Sequence, residues 1–215
     1  MHLYGYWRSS AAYRCRIALA LKGVDYAFTS VHLRRNGGEQ KMPAFLKLNP
    51  QGLVPALVDG DTVLTQSLSI IEWLDETIPH PPFLPEPVDQ RARVKAFAQV
   101  IGSDIHPLQN LRVLKYLKSE LGCDQAQLDV WCRKWNSDGL IACEKLLADQ
   151  PKEQAFCFGP QPGLADIFLA PQLYSARRFG VDLSPLGRLV ALEQTYQAHP
   201  VFAAAHPDLQ PDMDA

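Results

Sequence analysis

A proline-rich segment divides the chain into two parts that cannot share one continuous helix or sheet. The segment, PHPPFLPEPVD at residues 79–89, holds five of the 17 prolines of a 215-residue chain. Proline lacks the N–H that a helix interior or a central strand needs, so this segment indicates a linker. We predict two domains, residues 1–83 and 89–215, joined by a linker at 84–88, and each part is long enough to form its own core.

The first part alternates between strand and helix signals. In chain order these are a strand at 2–7, a helix at 10–22, a strand near 26–33, a short helix in MPAFLKL, strands in PALV and TVLT, and a helix in LSIIEWLDETI. Gly23 ends the first helix, Asp59-Gly60-Asp61 forms a hairpin turn, and Ser67 caps the last helix. The order β-α-β-α-β-β-α is the layout of a thioredoxin-like domain.

The second part has only helical patterns. Apolar residues recur at helical spacing from Val94 to Ile105, a second pattern with two tryptophans runs from Val130 to Leu147, and LADIFLAPQLYSARRF predicts a further helix. We therefore expect the fold class to be α/β plus all-α: a thioredoxin-like domain followed by a helical bundle.

Charge and cysteine content exclude several classes of protein. The formal net charge is -2 and the pI is near 6.3, with basic and acidic residues interspersed, so we expect no nucleic-acid partner. No signal peptide or membrane-spanning run is present, which predicts a cytoplasmic protein with no membrane partner. The five cysteines contain no C-x-x-C pair, so we expect reduced packing residues and no zinc site.

Several motifs, in order and at plausible spacing, resemble those of the zeta class of glutathione transferases. They are YWRSSAAYRCRIALALKGVDY, LNPQGLVPALVDG, LTQSLSIIEWL, DIHPLQNLRVL and LADIFLAPQLYSARRFGVDL, followed by QPD near the C-terminus. The class includes maleylacetoacetate isomerase and maleylpyruvate isomerase. The resemblance implies the glutathione transferase fold, glutathione as cofactor, and a homodimer.

The resemblance also implies a set of glutathione-binding residues in the first domain. The corresponding Val54-Pro55 bond is cis in this fold, which presents the backbone of Val54 to the cysteinyl part of glutathione. Gln66 and Ser67 stand at a helix N-terminus, where free N–H groups favour a carboxylate, here that of the γ-glutamyl group. Gln40 matches a further glutathione contact, with a solvated loop glutamine as the alternative.

Two serines follow the first strand, and they suggest how a thiol could be ionised. A free thiol has a pKa near 8.5 and is mostly protonated at neutral pH, whereas the thiolate is the nucleophile. Ser9 is our candidate for the catalytic residue that holds the glutathione sulfur as thiolate. Ser10 either donates a second bond or serves as the helix N-cap. Ala11 stands where the zeta pattern usually has cysteine, which removes an accessory thiol.

The resemblance implies a dicarboxylate substrate, and arginines are its expected ligands because the planar guanidinium matches a carboxylate. Arg8 precedes the serine pair, and Arg112 and Arg178 match family positions near the substrate. Arg177 lies about 100° from Arg178 around a helix, so only one of them can face the site, and we choose Arg178. An exposed surface arginine is the alternative for each.

The segment from His106 to Arg112 poses a geometric problem. His106 and Asn110, both predicted glutathione contacts, share one face of a regular helix, whereas Arg112 lies about 240° away from His106. Either Pro107 starts a new segment with altered phase, or one of the three residues faces a partner subunit. His106 polarises the substrate, binds glutathione or is structural.

Two further residues are assigned structural roles. Arg14 is expected to be an ion-pair partner near the sheet. Asp166 matches a buried helix-start device of the superfamily, in which a Ser or Thr N-cap pairs with an Asp three residues later. Gly163 occupies the cap position here, so we expect the same helix with a less stable N-terminus.

The resemblance, together with these residues, implies a glutathione-dependent cis-trans isomerase that converts maleylacetoacetate to fumarylacetoacetate in aromatic amino-acid catabolism. The glutathione thiolate would add to the cis double bond, allow rotation, and leave again. Maleylpyruvate isomerase, with a shorter substrate, is the nearest alternative. A zeta-class transferase that conjugates or dehalogenates small haloacids and a non-catalytic glutathione-binding protein are the others.

Overall fold

The structure, a computed structural model, describes residues 1–151 and 153–213. By its internal contacts the chain forms two compact units. The first consists of residues 1–82 together with the C-terminal tail from His199 onward, and the second consists of residues 83–198. The predicted linker at 84–88 stays a prediction.

The first unit is built on a four-stranded mixed sheet. Its strands are β1 His2–Gly5, β2 Ala27–Ser30, β3 Ala56–Asp59 and β4 Thr62–Thr65. The sheet order is β2-β1-β3-β4, in which β1 is parallel to β2 while β3 is antiparallel to β1 and β4. In this register Leu3 pairs with Phe28 on one side and Leu57 on the other. The β-α-β unit and the hairpin predicted from the sequence are confirmed.

Three helices accompany the sheet, α1 Ser10–Leu21, α2 Pro43–Leu46 and α3 Ser67–Thr77. Residues 12–19 of α1 are buried, and the helix packs against α3. Ile17, Ile70 and Leu74 are fully buried there, and each contributes about 1.5–3 kcal/mol relative to exposure. This packing gives the N-terminus of α1 a defined place directly after β1.

In the described residues of the second unit, the regular structure is entirely helical. Its α-helices are α4 Val88–Gln99, α5 Leu111–Glu120, α6 Gln125–Leu146, α7 Leu164–Arg178 and α8 Gly187–Ala198. α4 packs against α7, and Phe97, Ile101, Leu140 and Phe168 are buried in the core of this unit. The sequence prediction of a thioredoxin-like part and a helical part is therefore confirmed.

The C-terminal tail belongs to the first unit by its contacts. It contains α9 Pro200–Ala204 and a 3₁₀ turn, Pro207–Leu209. Phe202 is buried and its carbonyl oxygen accepts a bond from the Tyr13 hydroxyl at 3.4 Å. The sequence analysis places these residues in the helical domain, whereas the contacts group them with the strands.

All five cysteines are free, and four of them are buried. Burial raises the pKa of Cys15 and of Cys143 to about 12. Such thiols stay protonated near neutral pH and act as packing residues.

In the part of the chain that the structure describes, we find no helix with the length and apolar character needed to cross a membrane.

Candidate active site

Ser9 lies at the junction between β1 and α1. Its backbone is extended and its Oγ accepts a bond from the Ala12 N–H at 3.3 Å, which makes Ser9 the N-cap of α1. Ser10 is the first helical residue, so the expectation that Ser10 serves as the cap is wrong. A serine hydroxyl has two acceptor sites and one proton, so the cap bond leaves the Ser9 proton available for another acceptor.

The N-terminus of α3 is the second helix start that the resemblance assigns to glutathione. Gln66 occupies the cap position with a positive φ of 67°, and its Nε2 donates to Gln51 Oε1 at 2.7 Å. The expectation that Ser67 caps this helix is wrong, because Ser67 is the first helical residue. A positive φ at a residue other than glycine costs of order 1–3 kcal/mol, and such strain concentrates at functional sites.

Arg14 connects the starts of these two helices. It is buried on α1, and its Nη1 donates to Ser67 Oγ at 3.3 Å. Burial lowers the pKa of Arg14 to about 10, so the guanidinium remains charged at neutral pH. Arg14 therefore adds positive charge behind the N-terminus of α3, where the predicted carboxylate subsite lies.

The Val54–Pro55 bond is cis, as the resemblance implies, and a second cis bond, His80–Pro81, had no sequence signal. Val54 precedes β3 and packs against a small cluster that includes Phe45. The loop before it is held by Asn49, whose Nδ2 donates to the Leu53 carbonyl at 2.6 Å. Sequence reasoning did not single out Asn49, although it belongs to the LNPQG motif.

Gln40 is buried in a 3₁₀ turn, Glu39–Lys41, rather than solvated in a loop. Its side chain lies over Gly38, where an added Cβ would come within 2.8 Å of both amide atoms. Among the described residues, Gln40 Oε1 has no hydrogen-bond partner. A buried acceptor without a partner costs free energy, so a ligand that donates an N–H here would remove that cost.

The candidate arginines differ in their surroundings. Arg8 is half-buried with its guanidinium 5.1 Å from the centre of the Trp7 ring. Arg178 ends α7 and is exposed, whereas its neighbour Arg177 pairs with Glu193 at 2.7 Å. The bonds to Glu193 raise the pKa of Arg177 and occupy its guanidinium. The ion pair with Glu193 gives Arg177 a structural role, which argues against Arg177 as the substrate contact.

The helix changes type between His106 and Arg112. A π-helical stretch, Val100–Ile105, leads into a 3₁₀ turn, His106–Gln109, and α5 begins only after Asn110. Asn110 has an extended backbone and caps α5 by accepting from the Arg112 N–H at 3.1 Å. The expectation that His106 and Asn110 share one face of a regular helix is therefore wrong, and the altered phase at Pro107 is confirmed.

A closed ring of three buried amides lies beneath this segment, and sequence reasoning missed it. Gln109 donates to Gln172 at 3.1 Å, Gln172 donates to Asn136 at 2.6 Å, and Asn136 donates to Gln109 at 2.7 Å. Ser175 adds a further bond to Gln109. Each amide is at most 6% exposed. Because every member is satisfied, the ring fixes the end of the His106–Gln109 turn on α6 and α7.

Asp166 performs the predicted helix-start role without a side chain at the cap. Its two oxygens accept bonds from the Gly163 N–H and the Cys157 N–H, each at 2.9 Å, and from the Tyr196 hydroxyl at 2.7 Å. Burial raises the pKa of Asp166, and these three donors oppose that shift. Gly163 is required because an added Cβ would lie 2.8 Å from the Phe83 carbonyl oxygen.

Comparison with known proteins identifies the class that this fold and these helix starts define. Residues 8–77 match the glutathione S-transferase N-terminal domain, and residues 137–207 match the glutathione S-transferase C-terminal domain. The chain therefore belongs to the glutathione S-transferase family, in its zeta class.

Individual relatives are more specific than the family. Maleylacetoacetate isomerase of Pseudomonas aeruginosa is 49% identical over 216 residues, covering all of both chains. Maleylpyruvate isomerase of Ralstonia is 48% identical and covers 99% of each chain. A holo structure of maleyl pyruvate isomerase, described as a bacterial zeta-class glutathione S-transferase, superimposes with a TM-score of 0.96 at 48% identity over the whole of both chains.

A second solved structure shows what such a relative binds. Maleylacetoacetate isomerase of Methylobacterium extorquens, determined with bound malonate and glutathione, has a TM-score of 0.94 and 38% identity and covers both chains completely. In that relative a small dicarboxylate and glutathione are therefore bound by the same protein.

Proposed function

We propose that this protein is a glutathione-dependent cis-trans isomerase that converts maleylacetoacetate to fumarylacetoacetate. The observation that carries the proposal is the position of Ser9, whose hydroxyl caps α1 and retains a proton to donate at the end of β1. Full-length similarity to maleylacetoacetate isomerase supports the choice of reaction.

The residues of the first unit fit glutathione. The tripeptide carries a carboxylate for the N-terminus of α3 at Gln66 and Ser67, with Arg14 behind it. Its N–H groups suit the unpartnered acceptor of Gln40. The cis Val54–Pro55 bond before β3 supports the proposal that the backbone of Val54 binds the cysteinyl residue.

When bound, glutathione supplies a sulfur nucleophile that adds reversibly to the substrate double bond and is regenerated. The Ser9 hydroxyl donates a hydrogen bond to that sulfur, and this bond favours the thiolate over the thiol. A hydrogen bond to a charged group is worth about 1.5–3 kcal/mol, and one pKa unit corresponds to about 1.4 kcal/mol. The Ser9 bond therefore lowers the thiol pKa by about one to two units, which brings it close to neutral.

The substrate is a dicarboxylate with a conjugated ketone, and arginines suit both features. We assign the substrate contacts to Arg8, Arg112 and Arg178, which bind the carboxylates and stabilise the negative charge that develops on the ketone oxygen. Arg8 is half-buried and Arg178 is exposed, so both guanidinium groups are accessible to solvent.

Three further residues are proposed as glutathione contacts. Ser10 begins α1 directly after Ser9. His106 begins the 3₁₀ turn that the amide ring holds, and Asn110 follows it. Asn110 uses its Oδ1 as the cap of α5, which leaves its Nδ2 as the group for a ligand.

Maleylpyruvate isomerase is the second candidate, because a relative with that activity in its name is 48% identical over nearly the whole chain. The chemistry is the same and the substrate is shorter. We also propose that the protein is a cytoplasmic homodimer. Its five free cysteines fit a reducing compartment, and light scattering of the purified protein tests the dimer.

The decisive experiment compares isomerisation of maleylacetoacetate and maleylpyruvate by the purified protein in three conditions. These are reduced glutathione, no thiol, and S-methylglutathione, which lacks the reactive thiol. We expect turnover only with reduced glutathione, and faster turnover of maleylacetoacetate. Equal turnover without a thiol would contradict the proposal, and a preference for maleylpyruvate would select the second candidate.

Ser9→Ala tests the residue that carries the proposal. Removing a hydrogen bond to a developing or full charge lowers rates by about 10²-fold or more, so we expect a loss of that size in kcat with little change in glutathione affinity. Ser9→Thr, which keeps a hydroxyl and an N-cap oxygen, is the control and should retain most of the activity. Normal turnover in Ser9→Ala would remove Ser9 from its assigned role.

A further inference from the structure

The turn that carries Ser9 is held through the backbone of Trp7. The Trp7 N–H donates to Asp212 Oδ2 at 3.0 Å, and the Trp7 carbonyl accepts from Arg16 Nη2 at 3.0 Å. The Ser9 N–H in turn donates to the Tyr6 carbonyl at 3.0 Å. Both peptide groups of Trp7 are thus fixed, two residues before the serine.

Both partners of Trp7 lead to the C-terminal tail. Asp212 lies in the tail, and its Oδ2 accepts a second bond from Ser30 Oγ at 2.7 Å, at the end of β2. Arg16 is 1% exposed on α1, and its Nε donates to the Ala205 carbonyl at 3.1 Å. The tail therefore contacts the Ser9 turn directly through a carboxylate and indirectly through a buried guanidinium.

The tail has internal hydrogen bonds that order its backbone. Gln210 Nε2 donates to the Ala204 carbonyl at 3.1 Å and to the His206 carbonyl at 2.9 Å. These bonds fold the segment from Ala204 to Gln210 back on itself, two residues before Asp212.

The positive charge of Arg16 supports its assignment as the link between Trp7 and the tail. Burial lowers the pKa of Arg16 to about 10, and Tyr26, Tyr13 and Asp212 oppose this shift. Arg16 is therefore still a cation at neutral pH. A buried cation needs hydrogen-bond acceptors, and the carbonyls of Trp7 and Ala205 supply them.

We propose that Asp212 and Arg16 are positioning residues for Ser9, and that contacts with the C-terminal tail help to fix the orientation of the Ser9 hydroxyl. This proposal rests on the proposed function, since Ser9 receives its role there. The tail acts through the peptide groups of Trp7 and does not touch the substrate or glutathione. Small displacements of a group that must meet a reacting atom reduce rates strongly, so a relaxed turn should slow the reaction without weakening substrate binding.

The test uses the full-length protein with Asp212→Ala, Asp212→Asn and, as a matched control in the same tail, Asp208→Ala. Asp208 is exposed and lies 3.8 Å from His206. Both bonds to Asp212 end on Oδ2, and an amide oxygen can accept both, so Asp212→Asn should rescue most of the loss. A chain ending after Gln210 and one ending after Met213 form a second matched pair, which removes or keeps Asp212.

Three measurements separate a positioning role from a merely structural one. Amide hydrogen exchange of the segment from Trp7 to Ala12 reports how firmly the contacts of Trp7 with Asp212 and Arg16 hold this turn. The pH dependence of thiolate ultraviolet absorbance reports the pKa of bound glutathione, and steady-state kinetics report kcat and KM. For Asp212→Ala and for the chain ending at Gln210 we expect faster exchange, a higher thiol pKa, an approximately 10-fold lower kcat and an unchanged dicarboxylate KM.

Each alternative outcome is decisive. Unchanged exchange in folded Asp212→Ala would show that Asp212 does not hold the turn before Ser9. Faster exchange with an unchanged thiol pKa and kcat would show that the tail stabilises the turn without affecting the reaction, and it would overturn the positioning role. If the wild type binds glutathione but does not isomerise either substrate, the proposed function fails while the thiol pKa still tests the positioning role. If the wild type binds no glutathione, the exchange result remains but the positioning role falls together with the function.

Discussion

Ser9 shows how a single side chain can combine a structural and a chemical role. Its oxygen accepts the Ala12 N–H of α1, and its proton is left for a second partner. The cap bond also sets the direction of the side chain, because Oγ must face the first turn of the helix. A serine at this position is therefore already oriented before any ligand arrives.

The sequence could locate the serine pair but could not assign the cap within it. Ser9 and Ser10 are equally good cap residues by type, and helix ends predicted from pattern are uncertain by one or two residues. The choice depends on where β1 ends and where α1 packs, which are tertiary facts. Asp212 was similarly visible within the QPD motif, but its contact with Trp7 spans 205 residues and has no local signal.

The arginine assignment gives a prediction with a matched neighbour. Arg178→Ala should raise KM for the dicarboxylate several-fold more than KM for glutathione, because Arg178 is assigned to the substrate carboxylate. Arg177→Ala is the control: it breaks an exposed pair with Glu193, worth about 0.2–1 kcal/mol, and should leave both KM values unchanged.

Steady-state kinetics with each substrate varied in turn check this prediction, and the same comparison applies to Arg8→Ala and Arg112→Ala. If Arg178→Ala changes both KM values equally, the contact with the substrate carboxylate is excluded. A large effect of Arg177→Ala would instead reverse the choice between the two neighbours.

At the scale of elements, the break in helix type near Pro107 determines which residues can face a ligand. Proline lacks a backbone N–H, so it suits the start of a new turn and not the middle of an old one. The sequence indicated this possibility through the conflict between His106, Asn110 and Arg112. It could not indicate the amide ring, because Gln109, Asn136 and Gln172 are far apart in the chain and polar residues are usually exposed.

The start of α7 offers a stability prediction. Asp166→Asn replaces one carboxylate oxygen by an NH₂ group that faces N–H or O–H donors, so we expect a loss of about 3 kcal/mol in the free energy of unfolding. Tyr196→Phe removes only one donor to Asp166 and should cost about 1 kcal/mol. Urea unfolding monitored by circular dichroism measures both. If Asp166→Asn lowers the free energy of unfolding no more than Tyr196→Phe does, the Asp166 hydrogen bonds contribute little to stability.

For the whole molecule, the sequence predicted the two kinds of architecture but not that the first unit is discontinuous in the chain. The tail is short and interrupted by three prolines, so it lacks a long helical pattern that would indicate docking. A signal was present elsewhere: Arg14 and Arg16 stand in the buried helix α1, and buried arginines require partners. Where those partners lie depends on the folded arrangement.

The cysteines give a prediction for the whole chain. Burial raises the pKa of Cys132 to about 11 and that of Cys157 well above its usual value, in addition to the shifts at Cys15 and Cys143. We therefore expect a thiol reagent near neutral pH to modify one cysteine rapidly, Cys123, and the remaining four only after denaturation. Cys123→Ser should abolish the rapid reaction and leave isomerisation unchanged. Rapid modification of two or more thiols in the native protein would contradict this assignment.

The tail contacts have a consequence for synthesis. Asp212 is translated 205 residues after Trp7, yet Asp212 and Ala205 complete the part of the protein that is translated first. Domains usually fold as they emerge, N-terminal first. Here the nascent N-terminal unit must wait for synthesis of the segment up to Asp212, and a chain that stops before it would contain the whole sheet without the segment that holds its serine.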